Sequence, residues 1–148
     1  MGIKDLLLNK GWAGRTIGRP ETTDRVNPII MDLTGLMHFY EDAATRLGGA
    51  AAGEIHVSLR TLRGDIGKLC ETVFSAGGVA YSGTDIEPGS LKLSDSLFEE
   101  LADRERAFCA SLVEEGEVEH QMRTRAILAV AGSNGATRLK MLRSLSGR

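Results

Sequence analysis

From Leu97 to Val130 the chain repeats one spacing without interruption. Leu97, Leu101, Glu105, Phe108, Leu112, Glu115, Glu119, Met122, Ala126 and Val130 follow each other at gaps of three or four. Such gaps place side chains on one stripe of an α-helix, where a strand would need alternation. Three members of the stripe are glutamates. A buried carboxylate is costly unless it is ion-paired, hydrogen-bonded or bound to a metal. The stripe therefore predicts a long helix whose acids meet something polar.

Two more segments carry the same period. Leu33, Leu36, Met37, Tyr40, Ala43, Ala44 and Leu47 form a stripe on a first helix that the sequence starts near Pro28 and stops at Gly48-Gly49. Ile55, Leu59, Leu62, Ile66, Leu69 and Val73 alternate gaps of four and three, the packing seam of a bundle helix, over about Glu54 to Ala76. The intervening GGAAAG reads as a small-residue loop. Residues 79–93 are long for a helix hairpin and suit a crossover connection. Ser94 resembles an N-cap for a helix from Asp95 to Ala131, bent or broken near Asp103 and Gly116. GSNG at 132–135 reads as a turn before a short last helix over 136–146.

The expected fold is all-α: an antiparallel up-down four-helix bundle with one long crossover loop. Residues 1–26, with mixed glycine, charge and proline, read as an N-terminal arm containing a short helix at Ile3–Asn9 and an anchoring Trp12. Residues 27–148 read as the bundle domain.

Charge is balanced overall at −2 but uneven along the chain. Asp85 to Glu119 holds eleven acidic residues against Lys92, Arg104 and Arg106. Gln121 to Arg148 holds no acid and six basic residues: Arg123, Arg125, Arg138, Lys140, Arg143 and Arg148. Ion pairing between the two segments across the bundle is the expected use. A second reading is an anion-binding face on the basic last helix. Interleaved aromatics and nucleic-acid motifs are missing, which argues against DNA or RNA as the partner. No apolar run reaches the length of a membrane span. Cys70 and Cys109 lack CxxC spacing and read as reduced, buried thiols of a cytoplasmic protein.

Four fragments carry a resemblance. FYEDAA lies at 39–44, LRTLRGDIGKLCETVFSAGG at 59–78, EPGSL at 87–91 and EEGE at 114–117. In this order and spacing, over Asp32 to Arg143, the chain resembles a bacterial family of ferritin-like four-helix bundles of unknown function, related to the rubrerythrin-like proteins. Metal-holding members of that superfamily take a Glu from each of two helices and a Glu-x-x-His from each of the others. The resemblance implies Glu117 and His120 as one Glu-x-x-His, Glu41 as a first-helix carboxylate and Glu71 as a second-helix one. Iron or manganese would be the ion. The pattern is incomplete: the second helix has no Glu-x-x-His, and the last helix has neither carboxylate nor histidine.

Three functions follow as expectations. The first is a non-enzymatic, self-associating bundle, a homodimer or larger, with an incomplete dimetal ligand set. Tyr40, Glu105, Glu115 and Glu119 would form its buried polar network. Arg60, Arg63, Arg123 and Arg125 would pair with the acids, and Glu117 or Glu119 with the Tyr40 hydroxyl. The second is an iron- or manganese-dependent oxidoreductase or iron-handling protein. The third is the anion-binding module. His38 and His56 read as solvated, and His120 as the polar flank of a second helical stripe.

Overall fold

The computed structural model describes residues 16–147. Four helices make up most of that span, and no strand occurs among the described residues. They are α1 (Arg19–Arg46), α2 (Gly49–Ser75), α3 (Leu97–Glu115) and α4 (Met122–Ser146). Helix α1 packs on α2 and α3, and α4 packs on α3 and α2.

Helix α1 starts nine residues before Pro28. Pro20 takes the first-turn position where a missing N–H costs nothing, and Pro28 lies inside the helix. Burial explains the earlier start, since Thr22 and Val26 continue the stripe of Ile29, Ile30 and Leu33 into the core. The expected arm thus splits. Arg19–Val26 belong to α1, whereas Trp12 and the Ile3–Asn9 segment lie outside the described residues.

Only Leu47 and Gly48 separate α1 from α2. The expected GGAAAG loop is instead the first turn of α2, as three consecutive alanines favour. At its other end α2 closes in a Schellman turn. Gly77, at φ +81°, donates to the Phe74 carbonyl, and Gly78 to the Val73 carbonyl. A β-carbon on Gly78 would stand 2.2 Å from Thr23 Oγ1, so only glycine lets the turn lie against α1.

The connection over 76–96 follows α1 along its length. The Asn27 side chain donates to the Val79 carbonyl and accepts from the Tyr81 N–H. Near the opposite end of α1, the buried Asp42 carboxylate accepts the Leu93 N–H at 2.8 Å and is paired with Arg46. Arg46 in turn donates to the carbonyls of Leu93 and Ser94.

The largest correction concerns the last third of the chain. The break expected near Gly116 is there and none occurs near Asp103; residues 116–121 form a turn, and α4 then runs unbroken through GSNG, where a turn before a short last helix was expected. The reason is packing. A β-carbon on Gly135 would meet Cys109 Sγ at 3.1 Å and Glu105 Oε2 at 3.4 Å, and one on Gly132 would touch Leu112. These glycines bring α4 close to α3, and Asn134 bonds Asp65 on α2. Tertiary contact thus overrides the local turn signal.

Candidate functional site

Three helices place a polar side chain in the packed core, Tyr40 from α1, Glu105 from α3 and Arg138 from α4, and the half-buried Thr61 of α2 borders them. Tyr40 and Glu105 are fully buried, and Arg138 is 2% exposed. The Tyr40 hydroxyl donates to Glu105 Oε1 at 2.8 Å. Arg138 grips the same carboxylate with two prongs, Nε to Oε1 and Nη2 to Oε2 at 3.2 Å. Its Nη1 reaches Thr61 Oγ1 at 3.3 Å. One helical turn along, Asn134 Nδ2 donates to both oxygens of the buried Asp65 carboxylate at 3.0 and 3.1 Å.

The electrostatics make this a closed unit. Burial, and then the neighbouring Glu105 charge, push the Tyr40 phenol far above its usual range, so it stays a donor. Burial alone would weaken the Arg138 charge, but the Glu105 hydrogen bonds and charge outweigh it and push its pKa up. Burial raises Asp65 above the usual carboxylate range, opposed by Asn134 and Arg138. The Cys109 thiol is also raised, first by burial and then by Glu105, which keeps it protonated and unreactive. Glu105 accepts three hydrogen bonds from buried donors, so both of its oxygens are engaged.

A second polar cluster lies at the α3–α4 turn. His120, 2% exposed, faces Glu115 Oε1 through Nε2 at 2.7 Å. Arg25 of α1 donates to that carboxylate through Nε at 2.9 Å. No described residue bonds His120 Nδ1 or Glu119 Oε1. The other Glu119 oxygen accepts from Arg125 at 2.6 Å. His120 and Glu115 sit at one end of an apolar groove of about 390 Å³ between α3 and α4, lined by Leu112, Val113, Leu128 and Ala129.

The residues anticipated as one network therefore divide. Tyr40 and Glu105 meet in the core, whereas Glu115 and Glu119 belong to the turn. Glu105, and not Glu117 or Glu119, satisfies the Tyr40 hydroxyl. Of the arginines expected to pair with the stripe, Arg125 does, on Glu119; the others in use are Arg138 and Arg25. Pairing of acidic α3 with basic α4 holds for Glu105–Arg138.

The implied metal ligands do not assemble. Glu117 and His120 lie in the 116–121 turn, so their spacing does not align them on a helix face. Glu41 faces His38 at 3.7 Å, leaving His38 half-buried instead of solvated. Glu71 is exposed on α2, as is His56. Among the described residues no three His, Cys, Asp or Glu side chains stand close enough to share an ion. The donor chemistry agrees, because the one carboxylate buried among all four helices is filled by a guanidinium.

Of these two partners, Arg138 had a readable signal and Arg25 had none. The buried residues Thr124, Leu128, Ala131, Gly135, Arg138, Leu142 and Leu145 repeat gaps of four and three, a stripe that includes Arg138. Arg25 lies one position before the buried Val26, and nothing in its spacing marks it. No family model matches the chain, and no curated protein matches it.

Proposed function

We propose that the chain is a ferritin-like, antiparallel four-helix bundle with one crossover. Its centre is an ion pair in the place where metal-holding relatives of such folds project their ligands, and its role is structural and self-associating. The antiparallel reading rests on the order of the contacts. Arg25 meets Glu115 while Tyr40 meets Glu105, and Thr61 meets Arg138 while Asp65 meets Asn134. The crossover reading rests on the 76–96 connection, which is tied to α1 at Asn27 and again at Asp42.

The observation that carries the functional reading is the Arg138 fork on Glu105. A carboxylate whose charge is met by a guanidinium, and whose two oxygens both accept hydrogen bonds from buried side chains, would have to give these up to ligate iron or manganese. Self-association is supported by the α3–α4 groove, whose lip Val113 is 72% exposed. A second copy, bringing the same apolar face, would cover it.

Two measurements on the purified full chain test this. Metal analysis after growth with added iron and manganese is expected to find well under one ion per chain; about two would overturn the reading. Sedimentation equilibrium is expected to show a dimer or larger, dissociated by Val113→Glu. A monomer at all concentrations would remove the self-association half.

A further inference from the structure

The apolar groove between α3 and α4 ends at a buried polar atom that the bundle leaves unsatisfied. The His120 side chain lines the groove and is 1% exposed. Its Nε2 faces Glu115 Oε1 at 2.7 Å, whereas its Nδ1 bonds no described residue. A carboxylate only accepts, so Nε2 carries the proton and Nδ1 presents a bare lone pair. A buried acceptor in that state is costly unless something supplies a donor.

The charges around it are already matched. Arg25 holds the Glu115 carboxylate at 2.9 Å, and Arg125 holds Glu119 at 2.6 Å. Beyond them the walls are Leu112, Val113, Leu128 and Ala129. An ion entering here gives up its hydration beside carboxylates and arginines that have each other. A neutral donor on an apolar body avoids that cost. Arg125 also lines the groove, and a guanidinium has further N–H donors besides the one given to Glu119. The groove therefore offers one acceptor and one donor at its polar end, which is what a hydroxyl group needs.

Size limits the rest of the ligand. The groove measures about 390 Å³, within the range of small-molecule pockets. Since ~150 Å³ suffices for benzene, the space takes a body of up to about two fused rings or an alkyl chain of similar bulk.

We propose that the α3–α4 groove binds a small apolar alcohol or phenol. Its hydroxyl donates to His120 Nδ1 and accepts from Arg125, and its hydrocarbon body lies between α3 and α4. This goes beyond self-association: a second copy closes over the groove at its Val113 lip, and the ligand lies inside.

The test titrates the full chain with naphthol, methoxynaphthalene, naphthoate and decanol, and follows the His120 ring nitrogens by NMR. Naphthol or decanol is expected to saturate and to shift the Nδ1 resonance. Methoxynaphthalene has the same body but cannot donate, and should bind about fivefold to tenfold more weakly than naphthol. Naphthoate, which is charged and has no proton to give, should be weaker still. Tighter binding of decanol assigns the site to alkyl alcohols, and tighter binding of naphthol assigns it to phenols. Ala129→Phe places a ring in the groove from an exposed position of α4, so the fold is kept and saturation should be lost. No saturation by naphthol or decanol, an ether that binds as tightly as naphthol, an Nδ1 resonance unmoved at saturation, or unchanged affinity in Ala129→Phe would each overturn the proposal. A chain that sediments as a monomer and still binds naphthol removes self-association and leaves this site standing.

Discussion

Two carboxylates of α3 meet an arginine from another helix, and they sit in different physical worlds. Glu105 is sealed in the core, with every oxygen engaged by rigid donors from α1 and α4. Glu115 lies at the α3–α4 turn, where its arginine is 45% exposed and its histidine keeps one ring nitrogen unbonded. Ion pairing as such therefore says little about importance. What decides is how much solvent each partner gave up and whether each donor found an acceptor. The core pair fixes how α3 and α4 register against each other; the second pair tacks α1 to the last residue of α3.

Arg138→Ala tests this contrast most severely. It leaves Glu105 charged and unpaired in the core and should cost about 3–5 kcal/mol in urea unfolding. A loss below about 1 kcal/mol would erase the distinction between the two sites. Removing the whole cluster, as Tyr40→Phe/Glu105→Leu/Arg138→Met, should cost far less than the single change, because no charge remains to strand.

Tyr40→Phe comes next. It deletes one hydrogen bond while Arg138 still neutralises the carboxylate, so about 1 kcal/mol is expected. Arg25→Ala at the turn should cost under about 1 kcal/mol, and the loss should shrink further in high salt. Equal losses for Arg25→Ala and Arg138→Ala would break the comparison.

The smallest effect is a dependence on pH. Asp65 has its folded-state pKa raised, first by burial. A raised carboxyl contributes stability that is present below its unfolded pKa and lost as pH rises through the folded one. The melting temperature of Asp65→Asn, measured against the parent, should therefore rise between pH 4 and pH 7. A constant difference would mean that the residue titrates alike folded and unfolded.

Helix α2 and the middle of α1 were legible because regularly spaced apolar residues do most of the work of burial. Leu33, Leu36, Tyr40 and Ala43, and then Ile55, Leu59, Leu62, Leu69 and Val73, all lie in the core. Stripes of this kind need no knowledge of partners. Helix α4 was misread because two of its core positions are Gly135 and Arg138, residue types that ordinarily signal a turn and a solvated face. Glycine was selected there by the nearness of Cys109, and arginine by a carboxylate 33 residues earlier. Both causes are distant in sequence. The break at Gly116 was legible from the glycine itself, although the three-and-four spacing of Leu97 to Val130 runs across it. Glu105 was correctly marked as a carboxylate needing a partner; the identity of that partner required the fold.

The tether joining the two helical hairpins is anchored by Asn27 at one end and Asp42 at the other. Between those anchors, and among the described residues, Ser82 to Ser90 bond only among themselves and with Tyr81. Lengthening a chain between fixed ends is inexpensive, about 0.6 kcal/mol per doubling. Evolution or an engineer can thus splice new sequence beside Gly89, at the exposed tip of this span, and leave the helices' mutual arrangement untouched.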